Sequence, residues 1–275
     1  MKRIGTVLRT LIALTGIPWF AGCQSYSVAD LMNRSHEEIA ADIFRHYGIP
    51  GASVAIIDEF TVKSLIHYGV KERGTDRKVD GRTGFQAASI SKPVTSIGIM
   101  SLIQRRELDL YETDVNSRLE AAALAHEAGG KRFPSGPWHA YPELAAAGLW
   151  ISASDLAEIV VFVQKSVTGR PPNAGLLSAE TAEIMLSAGI RSSPLKSAAA
   201  VENTVAHGFF LIDRNNDGRM EYFSHGGSNW GYRSIFIAHM QAGYGVVVLT
   251  NSDNGNAACS AIVENIGKKN KWEGF

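Results

Sequence analysis

The chain has 275 residues, which is enough to bury the core of one large domain or of two small ones. Hydrophobic residues make up 45% of it, an ordinary share for a globular protein and too high for a disordered one. The 27 Lys and Arg residues balance 27 Asp and Glu residues, and no basic run follows the N-terminus, so we expect no nucleic-acid partner.

The first residues have the pattern of a secretion signal. Lys2, Arg3 and Arg9 precede a short apolar run, Thr10–Phe20, which is too short to cross a bilayer as a helix. The run is followed by Ala21-Gly22-Cys23, which resembles a bacterial lipobox. The next residue is Gln24 and not Asp, which resembles the pattern of lipoproteins that are sorted to the outer membrane. We therefore expect a lipoprotein of the bacterial cell envelope that is lipidated at Cys23 and faces the periplasm. The alternative is a plain secretory signal and a secreted or periplasmic protein.

These signals divide the chain into three parts. Residues 1–22 are predicted to be the signal peptide, residues 23–34 a linker, and residues 35–275 the folded domain. Cys23 and Cys259 are the two cysteines, so acylation of Cys23 leaves no intrachain disulfide. Cys259 lies in an apolar helical pattern and is predicted to be a small core residue.

Helices and strands alternate along the mature chain. Ser35 and Glu38 form a capping box, which predicts a helix that closes at Gly48. Two strands joined by a tight turn are predicted next, over Gly51–Asp58 and Phe60–Val70.

The rest of the chain continues this pattern of helices between hairpins. Helices are predicted over Ser89–Arg106, from Ser154 to about Val167, over Ser178–Leu186 and over Ala257–Gly267; strands are predicted over Gly208–Asp213, Met220–Ser224, Tyr232–His239 and Gly243–Thr250. Such a pattern favours an α/β (α+β) fold in which an antiparallel β-sheet is flanked by helices.

A Ser-x-x-Lys motif, Ser89 to Lys92, opens the third predicted helix. Residues three apart on a helix share a face, which brings the Lys92 ammonium within reach of the Ser89 hydroxyl. Burial would lower the pKa of Lys92 and make it a useful base. Free N–H groups at a helix start favour developing negative charge, and Pro93 is harmless in a first turn. We expect Ser89 to be a nucleophile and Lys92 its base.

Two other interpretations of this motif are weighed. Ser193-Pro194-Leu195-Lys196 has the same spacing, but it lies in a loop-like segment with no amphipathic helix after it. Ser89 could also be an N-cap serine with an exposed lysine nearby. The helical context after Ser89 favours the catalytic interpretation.

The sequence around this motif resembles a known family. Residues 85–110, FQAASISKPVTSIGIMSLIQRRELDL, are similar to the nucleophile helix of the class C β-lactamase family. That family includes D-Ala-D-Ala carboxypeptidases, D-aminopeptidases and β-lactamase-like esterases. Residues 145–160, AAAGLWISASDLAEIV, and residues 222–236, YFSHGGSNWGYRSIF, also resemble it. The resemblance implies a β-lactamase/transpeptidase-like fold and a serine hydrolase that acts through an acyl-enzyme.

The resemblance also implies a substrate-binding strand. His225-Gly226-Gly227 fills the family's third motif, and glycines there let substrate lie against the strand backbone. The implied oxyanion hole consists of the N–H groups of Ser89 and Ser228. A histidine rather than a lysine at position 225 favours the peptidase and esterase branches.

The family's second motif, Tyr-x-Asn, is missing, because no Tyr is followed two residues later by Asn. The likeness breaks near Leu119–Glu120, which predicts an in-frame loss of much of the helical subdomain. Tyr111 or Tyr141 is a candidate substitute for the missing tyrosine. The nucleophile helix would then expose apolar side chains such as Ile99, so we expect self-association.

Other kinds of site are not favoured. Ser252-Asp253-Asn254 spells a class A β-lactamase motif but follows His225 in the chain, so a polar turn is predicted. Residues 213–218 match half of a calcium loop, yet Ser224 stands where a bidentate Glu is required. The sequence also lacks Gly-x-Ser-x-Gly and H-E-x-x-H. We therefore expect no metal and no other cofactor.

Two functions remain open. The first is a hydrolase that acts on an amide, ester or β-lactam carbonyl of a small molecule or peptide. The alternative is a catalytically weakened or inactive envelope lipoprotein that binds peptide or glycan. In both cases the membrane partner is reached through the lipid anchor.

Overall fold

The computed structural model describes residues 26–105, 123–132, 136, 138–170, 176–187, 190–191 and 203–275. The predicted signal peptide, the Cys23 anchor and the break at Leu119–Glu120 lie outside those residues. Within them, no helix combines the length and the apolar character needed to cross a membrane.

The strands of the described residues form two antiparallel sheets. They are β1 (Gly51–Asp58), β2 (Thr61–Gly69), β3 (Phe85–Gln86), β4 (Trp150–Ile151), β5 (Ile190–Arg191), β6 (Asn203–Val205), β7 (Phe210–Ile212), β8 (Tyr222–Asn229), β9 (Tyr232–His239) and β10 (Gly245–Thr250). Eight of them form one sheet in the order β2-β1-β10-β9-β8-β7-β6-β5, and β3 pairs with β4. The predicted antiparallel sheet is confirmed.

Helices flank this sheet, as predicted. They are α1 (Val28–Met32), α2 (His36–His46), α3 (Ser91–Arg105), α4 (Leu144–Ala147), α5 (Ala153–Val167), α6 (Ala179–Met185) and α7 (Gly255–Lys269), and a 3₁₀ turn covers Ala88–Ile90. The capping box that begins α2 is present, with Ser35 Oγ 3.1 Å from the Glu38 amide nitrogen.

The predicted start of α5 is wrong. Ser152, and not Ser154, caps α5, because its hydroxyl accepts the Asp155 N–H at 3.2 Å. The hydroxyl of Ser152 also donates to the Asp155 carboxylate at 2.7 Å, so two hydrogen bonds join the N-cap residue to the third residue of the helix. Ser154 lies inside the helix, where its hydroxyl contacts that of Ser152 at 2.9 Å.

The sheet is the middle of three layers. Its neighbouring strands β1 and β10 are buried on both faces, apart from the exposed Asp58 at the end of β1. Helices α2 and α7 cover one face with Ile39, Ile43, Phe44, Ile262 and Ile266. Helix α5 covers the other face with Leu156, Val160 and Val163. Apolar area on both sides explains why these strands are continuous apolar runs in the sequence.

The hairpin predicted around residues 213–220 is confirmed, but β8 runs to Asn229 rather than ending at Ser224. Glycine is depleted in strands, so Gly226 and Gly227 hide the strand in the sequence. His225, Gly226 and Gly227 therefore lie within a central strand.

Cys259 is a core residue, as predicted. It is buried in α7, and burial raises the pKa of its thiol to about 12. Such a thiol stays protonated and unreactive at neutral pH.

Candidate active site

Ser89 and Lys92 lie on either side of the junction between the 3₁₀ turn and α3. Lys92 Nζ is 2.8 Å from Ser89 Oγ. The predicted helix start was therefore two residues early, since α3 begins at Ser91, but the predicted proximity of the two side chains is observed. Pro93 is the third residue of α3, where a missing N–H costs no helical hydrogen bond. The motif thus forms a compact pair at a helix start.

The backbone just before Ser89 is strained. The buried residue Ala88 has φ +50°, a left-handed conformation that residues other than glycine seldom adopt. Ser91 stabilises this turn, because its hydroxyl donates to the Ala88 carbonyl at 2.7 Å and accepts the Leu149 N–H at 3.0 Å. Ser91 occupies a variable position of the motif, so sequence reasoning did not single it out.

Lys92 has an environment that favours its neutral form. Its side chain remains accessible to solvent, yet partial burial lowers its pKa from the ordinary value of 10.5. Lys92 Nζ also donates to the carbonyl of Ala146, in α4, at 3.3 Å. No carboxylate of the described residues forms an ion pair with Lys92. A lysine held in this way has a larger neutral fraction near pH 7 than a free lysine.

Strand β8 presents an open edge beside this pair. Strand β7 pairs only with Tyr222–Ser224, so within the described chain the rest of β8 has a partner strand on the β9 side alone. Asn229 and Tyr232 flank a two-residue turn. Because hydrogen-bonded and non-hydrogen-bonded pairs alternate in an antiparallel ladder, the N–H of Ser228 points to the open edge.

Gly227 brings β8 against the chain just before Ser89. A Cβ at this position would lie 2.1 Å from the Ala87 carbonyl oxygen and 2.2 Å from Ser234 Oγ. Ser234 Oγ itself donates to the Ala87 carbonyl at 2.9 Å. No side chain larger than hydrogen fits, which explains the second glycine of the motif. At Gly226, by contrast, the nearest atom to such a Cβ is 3.8 Å away.

This difference predicts that substitutions at Gly226 and Gly227 differ in their effect on stability. Gly227→Ala should destabilise the protein by about 1–3 kcal/mol, as overpacking of a tight site does. It should also slow any reaction at Ser89, because β8 must move away from Ala87. Gly226→Ala should leave the thermal midpoint close to that of the unsubstituted protein. Thermal unfolding of both variants measures this, and equal midpoints would show that the contact with Ala87 is not tight.

His225 is buried and neutral. Its Nδ1 lies 2.7 Å from the Gly226 carbonyl oxygen and therefore carries the proton that it donates there. The ring also contacts that of Phe210, with centroids 5.1 Å apart. Burial, together with the smaller effect of the positive charge of Lys92, lowers the pKa of His225 to about 4. His225 therefore adds no positive charge to the site near pH 7.

Neither candidate tyrosine is seen to form a hydrogen bond with Ser89 or Lys92 in the part of the chain that the structure describes. The hydroxyl of Tyr141 accepts the Trp230 N–H at 2.9 Å, at the turn after β8. Among the described residues, no hydrogen bond joins Tyr141 to Ser89 or Lys92. The other candidate, Tyr111, lies outside the described residues.

The remaining sequence candidates do not join the site. Asp253, in the Ser252–Asn254 segment, accepts the Gly231 N–H at 3.0 Å and pairs with Arg233 at 2.8 Å, which fits the predicted turn. Asp213 accepts the N–H groups of two turn residues, and Ser224 Oγ donates to the Phe236 carbonyl, so position twelve of the calcium pattern supplies no bidentate carboxylate. The Ser193–Lys196 motif lies outside the described residues.

Comparisons with solved structures find this fold elsewhere. A protein named SurE aligns with a TM-score of 0.68 at 15% identity, over 89% of this chain and 77% of that chain. The D-alanine carboxypeptidase AmpC from Burkholderia cenocepacia gives 0.62 at 14% identity, over 87% and 99%. An octameric penicillin-binding protein homologue from Pyrococcus abyssi gives 0.66 at 15%, over 90% and 79%. Such low identities show a shared fold and no more.

No curated protein sequence matches the chain. A family model does match it, in two segments that cover residues 28–113 and 111–264. This model is described as Beta-lactamase. Members of that family are generally serine hydrolases and typically reside in the periplasm or cell envelope. Since the match extends over most of the chain, the protein belongs to the Beta-lactamase family.

Proposed function

We propose that this protein is a serine hydrolase that forms an acyl-enzyme at Ser89 on an amide, ester or β-lactam carbonyl. The observation that carries the proposal is the 2.8 Å contact between Lys92 Nζ and Ser89 Oγ, beside the open edge of β8. A histidine rather than a lysine at position 225 favours the peptidase and esterase branches, as the family resemblance implies, and its neutral ring adds no cation to the site.

Acylation would proceed by general base catalysis. Lys92 removes the hydroxyl proton as Ser89 Oγ bonds to the carbonyl carbon, and the carbonyl electron pair moves onto oxygen. The N–H groups of Ser89 and Ser228 hold that oxyanion, each contributing on the order of 3 kcal/mol in the transition state. Collapse of the intermediate expels the leaving group, which takes the proton from Lys92.

Deacylation would repeat the sequence with water. Lys92 takes a proton as the water oxygen bonds to the acyl carbon, and the bond to Ser89 Oγ then breaks. Ser89 recovers its proton from Lys92, and the carboxylic acid leaves. No tyrosine of the described residues assists this proton transfer, and loss of such a group costs roughly 10²- to 10⁴-fold in rate. We therefore propose slow turnover.

Burst kinetics with p-nitrophenyl acetate test this proposal. Acylation should release about one equivalent of p-nitrophenolate per protein, followed by a slow steady state because deacylation limits turnover. Absence of both phases would support the alternative, an inactive lipoprotein that binds peptide or glycan. Steady turnover at ordinary enzyme rates would show that another residue replaces the missing tyrosine.

The apolar side chains near the site support self-association as a further part of the proposal. Ile99 of α3 is 51% exposed and Leu144 of α4 is 70% exposed. Soluble monomers seldom expose large contiguous apolar patches. Solution mass by light scattering measures the oligomeric state, and a strict monomer would contradict this part.

We also propose a lipid anchor at Cys23, on the pattern Ala21-Gly22-Cys23. One acyl group binds membranes only weakly, so stable anchoring in the outer membrane needs the full lipoprotein modification. Intact-mass analysis of the membrane fraction tests it, and an unmodified N-terminus on a soluble protein would contradict it.

A further inference from the structure

The short helix α4 lies against the nucleophile helix through its backbone carbonyls. The last four carbonyls of a helix have no partner inside it, so they accept hydrogen bonds from elsewhere. Lys92 and Thr95 are one turn apart on α3. Lys92 Nζ donates to Ala146 at 3.3 Å, and Thr95 Oγ1 donates to Ala145 at 2.9 Å. The end of α4 is thereby a backbone acceptor for the lysine of the motif.

A pair of buried amide side chains holds the next carbonyl. Asn229, at the end of β8, donates through Nδ2 to the Ala147 carbonyl at 3.0 Å and to Gln86 Oε1 at 2.7 Å. Gln86 Nε2 donates in turn to the His139 carbonyl at 3.0 Å. Both side chains are nearly inaccessible, at 4% and 3% exposure. Since both ends of this chain are carbonyls, only one orientation of each amide satisfies it.

We infer that Asn229 and Gln86 are positioning residues for Lys92. They fix the end of α4, so that the Ala146 carbonyl accepts one N–H of the lysine while its nitrogen faces Ser89. These hydrogen bonds are present in the structure whatever the activity of the protein, and their catalytic consequence rests on the proposed function.

The chemistry of a neutral amine explains why such an acceptor matters. A neutral lysine has two N–H donors and a single lone pair, and only the lone pair takes up a proton. Donation to Ala146 occupies one N–H, so that the lone pair is available on the side of the nitrogen that faces the hydroxyl of Ser89. The Ala146 carbonyl also attracts the ammonium form of Lys92, but at 3.3 Å it is a weak acceptor. Helix α4 at the same time limits the hydration of Lys92, and burial is the cause that lowers its pKa.

The other groups around Lys92 do not change their charge when α4 is released, so a change in the hydration of Lys92 can be measured. From β8 the titratable group that acts on it is His225, which burial keeps neutral above about pH 4. From the 3₁₀ turn it meets the hydroxyl of Ser89. Release of α4 would therefore change the hydration of Lys92 and leave the charges around it unaltered.

The test measures the pKa of Lys92 without relying on turnover. The purified full chain is treated with trace acetic anhydride across a pH series, and acetylation of Lys92 is read by peptide mass spectrometry. In Asn229→Ala the midpoint should rise by about one pH unit, because Lys92 becomes more hydrated. One unit lowers the neutral fraction about tenfold below the midpoint. Gln86→Ala should shift it in the same direction.

The control is Asn265→Ala, which removes another buried amide on the far face of the sheet, where Asn265 Nδ2 donates to Ala261 at 2.8 Å. Its Lys92 midpoint should equal that of the unsubstituted protein. Should Asn229→Ala fail to fold, Thr95→Val offers a second variant. It removes the hydrogen bond from the half-buried Thr95 to the Ala145 carbonyl of α4 and should give a smaller shift of the same sign. An unchanged midpoint in the folded variants would overturn the inference, whether or not the unsubstituted protein hydrolyses esters.

Discussion

Ser89→Ala should reduce ester hydrolysis to the rate of buffer alone and remove labelling by a fluorescent fluorophosphonate. The hydroxyl of Ser89 contacts Lys92 Nζ at 2.8 Å, and without it the substrate carbonyl meets no positioned nucleophile. The substitution removes one oxygen from a half-buried position, so the fold should be retained. Stopped assays and a labelling gel, with thermal unfolding as the folding check, measure the effect.

The matched control is Ser193→Ala, which alters the other serine with a lysine three residues later. That variant should be labelled like the unsubstituted protein. Labelling that survives Ser89→Ala and disappears in Ser193→Ala would assign the nucleophile to the second motif.

Lys92→Met should lower the rate of acylation by roughly 10²- to 10⁴-fold, the usual cost of losing a positioned general base. Methionine keeps most of the apolar stem of lysine, so the loss is confined to the amine. The burst phase with p-nitrophenyl acetate measures acylation directly.

The pH dependence of this rate separates a base from a simple charge. Lys92 accepts a proton only when neutral, so acylation should rise with pH through the Lys92 pKa, which burial lowers below 10.5. Lys92→Arg keeps the positive charge but cannot deprotonate, so it should be as slow as Lys92→Met and lose this rise. An active arginine variant would mean that the charge, and not proton transfer, is what matters.

The elements that the sequence predicts best are those with a strong local pattern. The helix after Ser35 is marked by a capping box, and its burial period follows from Ile39 and Ile43. Strand β10 is an unbroken apolar run, because both of its faces are covered. Local chemistry decides these elements, so no knowledge of distant residues is needed.

Predictions fail where neighbouring residues compete or where glycine interrupts a pattern. Ser152 and Ser154 are both plausible caps. Ser152 is the N-cap because Asp155, three residues after it, forms a hydrogen bond with its hydroxyl. The predicted end of β8 is five residues too early, since Gly226 and Gly227 have no side chains to show the alternation of the strand. The reason for Gly227 lies in Ala87, which is far away in the chain and touches β8 closely.

The candidate site also has one part that the sequence predicts and one part that it does not. Ser89 and Lys92 are three residues apart, so helical geometry alone predicts their contact. The amides of Gln86 and Asn229 are 143 residues apart in sequence, and nothing local marks them. Helix α4 has four residues, too few for a periodic pattern, although its carbonyls contact Lys92 and Thr95. The reacting pair is thus readable from the sequence, and its supports depend on the tertiary fold.

The most direct test of an acyl-enzyme at Ser89 is to map the covalent adduct. The full chain is treated with an alkyl fluorophosphonate, digested, and sequenced by tandem mass spectrometry. The account predicts one adduct per protein, on Ser89, whose formation slows in Lys92→Met. An adduct on a different serine, or an unmodified chain after prolonged exposure at a pH above the Lys92 pKa, would contradict it.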